Sequence, residues 1–492
     1  MPRPRIKLTA ATEPIDVVLA AVRTELGITD AYPPAALADA EAAAAQSLPA
    51  PTTVAEAARP CAPVADLRHL PFVTVDPASS TDLDQAAHIE ATESGWRLHY
   101  AIAALAFFVR PGGPLDEETH RRGLTMYGPG CAVGLHPEVI ASGAGSLLPE
   151  QERLAYVWTI DISDDGALAR SHVAPALVRS VAKLSYEQVQ RCLDGKEELP
   201  SPAPADFPEL LAAVGQARQR DEERRGGISL AIPTQEVTAT EDGYRLSYRA
   251  NVPAEEYNAQ LSLVTGMAAA QMMRAAGVAI FRTLPPAREQ DIRRLRHTAR
   301  ALGLHWDSGV DYPTYVRSLD STDPAQAAFL NEAATLFRGA GYEVVREEAL
   351  KTNHPHAAIA AEYAHVTAPL RRLVDRYGLE ICAAHCAGLP IPAWVEEGLD
   401  ELPEVMARAA KTAGEYERRA TDVVEAAILA PHVGDVFTAT VIDERKDGGL
   451  VMLRNPAVRG SVRGNVKAGS TVTVRVVRAD VEQGRVELEL AD

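Results

Sequence analysis

Pro71-Phe72-Val73-Thr74-Val75-Asp76-Pro77-Ala78-Ser79-Ser80-Thr81-Asp82-Leu83-Asp84-Gln85-Ala86-Ala87-His88-Ile89-Glu90 is the stretch around which this chain is organised. Phe72 to Val75 are β-formers and predict a strand. Pro77 ends it, and Ser79, Ser80 and Thr81 make a polar turn. Asp82 and Asp84 follow two residues apart, so in an extended segment they share a face. Asp76 lies across the turn and can fold back toward them. Three carboxylates converging on one loop repel unless a cation lies between them. Hard oxygen ligands, completed by water and substrate phosphate, suit Mg²⁺. Two such ions can clamp the attacking and leaving oxygens of a phosphodiester. Aspartates also serve in turns and helix caps, and this chain is rich in acid, so the loop alone does not fix its chemistry. A calcium loop of the EF-hand type fits poorly, because the Gly and trailing Glu at the needed offsets are missing.

Around this loop, 492 residues give room for more than one domain and a large core. The composition, 47% hydrophobic and 24% charged, is that of a soluble globular protein. No apolar run is long and charge-free enough to span a bilayer, and no apolar signal core follows the basic start Met1-Pro2-Arg3-Pro4-Arg5. The expected location is the cytoplasm. The 5 cysteines imply no disulfide framework, and Cys382 and Cys386 fit a packed helix face better than a zinc site. A net charge of −18 argues against loose coating of nucleic acid, but permits a basic channel in an acidic shell.

The ends of the chain carry different patterns. Residues 1–60 read as a small helical module. One helix runs from Thr12-Glu13-Pro14 through Val18, Leu19, Val22 and Leu26 to Gly27. A second spans Pro34 to Leu48, with a Pro- and Ala-rich linker after it. The pair reads equally as a helix-turn-helix-like unit or as docking helices. Residues 402–429 predict a long Ala-rich helix, and Arg218 to Arg225 a solvated one. Residues 432–492 alternate every second position over five short segments: Asp435–Asp443, Leu450–Leu453, Arg459–Val462, Thr471–Arg478 and Arg485–Leu490. Glycines between them mark turns, which predicts a small barrel.

The motifs between these ends carry a resemblance. Thr74 to Asp84 is followed by Tyr100-Ala101-Ile102-Ala103, then by the turn Pro111-Gly112-Gly113-Pro114-Leu115-Asp116 and by Arg122-Gly123 leading to Tyr127. Leu147-Leu148-Pro149, Ala182 to Glu187 and Phe281-Arg282 come next, and the series ends on Tyr363-Ala364-His365-Val366-Thr367-Ala368-Pro369-Leu370-Arg371-Arg372. In this order, over nearly all of 65–430, the chain resembles the catalytic domain of the ribonuclease II (RNB) family. Residues 434–490 resemble the RNA-binding OB-fold of the S-one type. The expected architecture is multi-domain α+β: the helical module at 1–60, an α/β catalytic domain at 61–430 and a five-stranded OB barrel at 432–492.

The resemblance implies hydrolysis of single-stranded RNA from the 3′ end, one nucleotide at a time, to 5′-monophosphates, with Mg²⁺. RNA with structured 3′ ends is a further expected substrate, and a monomer without membrane association the expected state. Asp76, Asp82 and Asp84 match metal and catalytic aspartates, with Gln85 as a fourth metal ligand. Arg371 matches the arginine that meets the scissile phosphate, at an expected helix start after Pro369, and Arg372 beside it is expected on RNA. Tyr127 matches an aromatic that stacks on a terminal base. In the barrel, Arg454, Arg459, Arg463, Lys467, Arg475 and Arg478 are expected along the RNA backbone, with Phe437 the only aromatic. Familiar members of the family carry two barrels ahead of the catalytic domain; about 60 helical residues cannot build these, which implies a more open entrance.

The sequence also departs from the family. Gln85 stands where a fourth Asp is usual, Ala104 where another Asp is, Leu230 where an aromatic is, and Ser262 and Leu263 where a Glu pair is. Two alternatives follow: a catalytically weakened RNA-binding or regulatory protein, and a single-stranded DNA exonuclease. No GxxxxGK, HExxH or GxSxG motif offers another chemistry.

Overall fold

A computed structural model describes residues 6–8, 13–51, 63–128, 131–229, 234–240, 243–337, 339–453, 456, 458–467 and 470–491. Leu230, Arg454 and most of the linker after residue 51 lie outside them.

The central domain is built on a sheet that closes on itself. Its strands run in the order Ala65–Asp66, Leu168–Leu184, Phe72–Val75, Gln85–Thr92, Gly95–Ala103 and Glu152–Ser163, and the last pairs back onto Leu168–Leu184. Alternation sorts the side chains into two faces. Ala87, Ile89, Leu98, Tyr100 and Ile102 turn to one core, against the buried helix Pro253–Ala276 and the helix Phe207–Arg225. Phe72, Leu83, Ala86, Ala101 and Ala103 turn to the other, with Leu105, Leu115 and Leu370. The segment that joins strand Phe72–Val75 to strand Gln85–Thr92 is the acidic loop. It therefore lies at the end of the ring, anchored on either side by core strands.

A helical subdomain follows the strand Val278–Thr283. Helices Glu289–Ala301, Tyr312–Arg317 and Pro324–Ala333 surround a core of their own, with Leu295, Tyr312, Phe329 and Leu330. Trp306 stacks on Tyr315 there at 4.4 Å. The strand pair Val278–Thr283 and Gly341–Arg346 closes the base of this insertion.

The C-terminal barrel forms as its alternation predicts. Val436–Arg445, Gly448–Leu453, Arg459–Arg463, Arg485–Leu490 and Thr471–Asp480 close in that order. It is not a free appendage. Val441, Val451, Val474 and Leu488 share one apolar core with Val423, Val424 and Ala427 of the helix Leu402–Leu429, and with Ile15 and Leu19 of the first helix.

The N-terminal module is likewise packed into the body. Its helices are Glu13–Glu25 and Pro34–Ala44, the second shorter than expected. Val22 meets Met126, Ala413 and Tyr416, and Asp39 accepts from Leu115 N–H at 3.3 Å. A strand, Ile6–Leu8, precedes them where only helices are expected; it pairs in parallel with Thr234–Thr240, which pairs with Gly243–Arg249. Arg218 also departs from expectation. It is fully buried, paired to Asp221 at 2.9 Å and donating to the Gly166 carbonyl, rather than solvated on its helix.

Candidate active site

The acidic loop is tied down along its length. Lys183 Nζ donates to the carbonyls of Ala78 and Ser80 at 2.8 and 2.5 Å. Ser146 Oγ donates to the Thr81 carbonyl at 2.7 Å and accepts from Leu83 N–H at 2.9 Å. Leu83 itself is completely buried and acts as the loop's apolar anchor. Its neighbours Asp82 and Asp84 alternate away from that anchor, Asp82 half-buried and Asp84 5% exposed. Asp76 is half-buried at the other end, its N–H bonded to the Leu184 carbonyl at 3.1 Å.

A second loop, residues 367–372, is brought to Asp84 from almost 300 residues away. Leu370 N–H donates to Asp84 Oδ1 at 2.7 Å, and Arg371 Nε lies 3.6 Å from Asp84 Oδ2. Asp375 Oδ1 takes Ala368 N–H at 2.7 Å, and His136 Nδ1 donates to the Leu370 carbonyl at 3.0 Å. Burial pushes the His136 imidazole down to about 4, so it is neutral at ordinary pH. Arg371 sits in the turn just before the helix Leu373–Ala387, whose N-cap is Arg372; the helix starts two residues later than its sequence suggests. The Arg371 side chain remains one-third exposed.

Burial pushes the Asp84 carboxyl well above the ordinary range, and Arg371 and the Leu370 N–H pull it back only in part. Asp375 and Asp82 add to the rise. The Tyr100 hydroxyl, raised chiefly by burial, is raised further by Asp76 and Asp84. Among the described residues no group of three or more His, Cys, Asp or Glu side chains is placed to hold a metal ion by itself, so Asp76, Asp82 and Asp84 are not drawn together as a ready-made site. The donor chemistry nevertheless suits a hard divalent cation whose shell is completed by water and phosphate, and buried, electrostatically burdened Asp84 gains most from one.

The remaining candidates separate. Tyr127 is 50% exposed on the hairpin Met126–Gly128 and Cys131–Val133, beside the arginine loop: Thr125 N–H donates to the Arg371 carbonyl at 3.1 Å. Arg372 is given over to the fold. It forks onto Asp375 with two bonds of 2.7 Å; burial works against its charge, and Asp375 more than offsets that. Gln85 joins an internal chain: its Nε2 donates to the Thr367 carbonyl, and its Oε1 accepts from Tyr100 at 3.0 Å. Tyr100 in turn meets Ser262 at 2.9 Å. Ala104 is buried and contributes no oxygen ligand, and Leu263 packs with Met267, Ile359 and Tyr363.

In the barrel the expected cations also divide. Arg459 bonds Glu332 of the helical subdomain at 3.0 Å and lies 4.0 Å from Glu425. Arg475 lies 3.7 Å from Glu489, and Arg478 is 2.5 Å from Asp480. Arg463 and Lys467 are exposed. Phe437 packs against the barrel core and edge-on to His432. Sequence reasoning missed His136, Asp375 and Tyr100. Only Asp375 left a local signal, an acid in the first turn after a Pro-led loop.

A helix long and apolar enough to cross a membrane is absent among the described residues. The RNB domain model matches residues 64–385, and the model of the RNase II-type exonuclease C-terminal S1 domain matches residues 435–491. Ribonuclease R of Vibrio cholerae is 25% identical over 474 residues, covering 87% of this chain and 57% of that protein. Ribonuclease R of Escherichia coli is 28% identical over 417 residues, covering 81% and 51%. The chain thus spans about half the length of the curated relatives it matches. Mycoplasma genitalium RNase R, solved with ribose-methylated single-stranded RNA, shares the fold with a TM-score of 0.81 at 19% identity, covering 98% of this chain and 79% of its own. Since the first domain model takes in well over half of the residues, with the barrel model following in order, the chain belongs to the RNB family.

Proposed function

We propose that this chain is a divalent-metal-dependent hydrolase that shortens RNA from its 3′ end and releases nucleoside 5′-monophosphates, with Mg²⁺ as the metal. The observation that carries the reading is the approach of Arg371 to Asp84, 3.6 Å apart and drawn from two distant loops. An arginine fork beside acidic metal-ligand candidates is the pairing that phosphoryl transfer requires. The names of the relatives and the RNA in the Mycoplasma structure support it as well.

The chain's own residues have distinct tasks. Arg371, one-third exposed, reaches the phosphoryl oxygens and balances charge that develops on them. Asp84, fixed by Leu370 N–H, sets the height of that arginine over the acidic loop. Tyr127, exposed on the hairpin that follows the Thr125 link to Arg371, offers a ring face to the terminal base. Asp76, Asp82 and Asp84 would hold the cation, which when bound supplies Lewis-acid charge at the scissile phosphate. Arg463 and Lys467 give the incoming strand exposed cations on the barrel.

The test is a gel of 5′-labelled RNA incubated with the protein, with and without Mg²⁺. A single-nucleotide ladder that depends on metal is expected. A second reading, RNA binding without hydrolysis, is favoured by the neutral Gln85–Tyr100–Ser262 chain beside Asp84. Retained RNA with no ladder would establish it, and a ladder on DNA of the same sequence would widen the substrate class.

A further inference from the structure

We propose that Gln85 is a positioning residue: its side-chain amide clamps the arginine loop onto the acidic loop and is not a ligand for the cation. The inference rests on the hydrolase reading for its functional consequence, but its geometry stands alone.

Asp84 and Gln85 are consecutive at the mouth of the strand Gln85–Thr92. The strand fixes both, since Ala103 N–H bonds the Asp84 carbonyl at 3.0 Å and Gln85 pairs with Ile102. From there the two side chains hold opposite ends of one loop. Asp84 takes the Leu370 N–H, and Gln85 donates to the Thr367 carbonyl. Arg371 follows directly after Leu370, the residue that Asp84 holds.

The orientation of the amide is dictated by its partners. Thr367 is 3% exposed, and its carbonyl oxygen can only accept a hydrogen bond. The Gln85 nitrogen must face it. The amide oxygen therefore points the other way, where the Tyr100 hydroxyl stands 3.0 Å off. Tyr100 is 1% exposed, and burial raises its pKa, so it stays a neutral donor. Ser262 Oγ, 2.9 Å from the Tyr100 oxygen, completes a one-way chain of donors: Ser262 to Tyr100, Tyr100 to Gln85, Gln85 to Thr367. The chain is neutral throughout and ends on backbone. Each end of the Gln85 amide thus has a protein partner.

A ligand and a clamp respond oppositely to Gln85→Glu. A ligand would gain charge and bind a hard cation more tightly. A clamp would lose its only donor and set two acceptors against each other in a buried place. The experiment has three readouts: Mn²⁺ binding by calorimetry without RNA, hydrogen exchange of the peptide covering 366–372, and kcat against KM on single-stranded RNA. For Gln85→Glu we expect exchange at least about tenfold faster in that peptide, because a hydrogen bond at its start is gone. We expect kcat to fall by about 10²-fold with KM little changed, as for a displaced catalytic group. Mn²⁺ affinity should not rise. Tyr100→Phe removes only the hydroxyl that orients the amide and should move exchange the same way, less far; it decides the matter if Gln85→Glu does not fold. Tighter Mn²⁺ binding in Gln85→Glu with unchanged loop exchange would overturn the proposal. A wild-type protein with no ladder would overturn the hydrolase reading instead, while the exchange and Mn²⁺ arms would still judge the clamp.

Discussion

Asp84→Asn distinguishes a carboxylate kept for chemistry from one kept for the fold, because the two roles predict different signs. Asn retains an oxygen to accept the Leu370 N–H, now 2.7 Å from Asp84 Oδ1, so the loop contact survives. What disappears is one buried negative charge 3.6 Å from Arg371. At an effective dielectric of about 20, attraction over that distance is worth up to ~5 kcal/mol. Burial nevertheless pushes the Asp84 carboxyl well above its usual range, so desolvation exceeds the attraction and the ionised group burdens the fold. The Asn variant should therefore be at least as stable as wild type. Its hydrolysis should fall by ~10²–10⁴-fold, equivalent to roughly 3–5 kcal/mol of barrier, since charge at the cation site is lost. RNA affinity should hold, because the barrel and Tyr127 are untouched. The assay pairs urea melts with single-turnover digestion of labelled RNA and anisotropy for binding. An Asn variant that cleaves within about threefold of wild type, or one that is much less stable, would refute the reasoning.

Glu425 is 9% exposed and burial pushes it up to about 7, against the opposing pull of Arg459, with Asp422 and Glu332 adding to the rise. Its folded pKa lies above the unfolded value, so its favourable contribution is complete below about pH 4.5 and is lost as pH rises through about 7. Glu425→Gln should then stabilise the protein at pH 8, by at most roughly 3 kcal/mol, and hardly at all at pH 4.5; equal denaturant midpoint shifts at both pH values would count against this. The double variant Arg463→Gln, Lys467→Gln should flatten the slope of log K against log salt by about 1.4, at ~0.7 per phosphate contact on a single strand. An unchanged slope would show that RNA does not cross that edge of the barrel.

Periodicity made much of the architecture legible. The five barrel strands, the strand Phe72–Val75 and the helix Leu402–Leu429 fall within a residue or two of their sequence signals, because alternation and helical spacing are local properties. The helix from Pro34 ends at Ala44 rather than Leu48, since its Ala-rich text carries no stop signal. Closure of the ring between Glu152–Ser163 and Leu168–Leu184 was not legible, and neither was the aromatic core of the helical subdomain. At the site, residue types suggested the cluster, but partners decided individual tasks. Arg372 and Arg459 read as free cations and are bound by Asp375 and Glu332. Gln85 read as an oxygen donor, and a carbonyl 282 positions away fixes its nitrogen instead.

The apolar core that joins the first helix, the long helix and the barrel also constrains the order of events on the ribosome. The first of the downstream partners of Ile15 and Leu19, Ala420, is made about 400 residues after them. At ~5–20 residues per second, that helix face waits roughly 20–80 s for its cover. During this interval the Ile15 and Leu19 face of the first helix lacks its native cover and is a natural client for a holdase. Slow codons between the two halves of this core would lengthen the exposure and lower soluble yield.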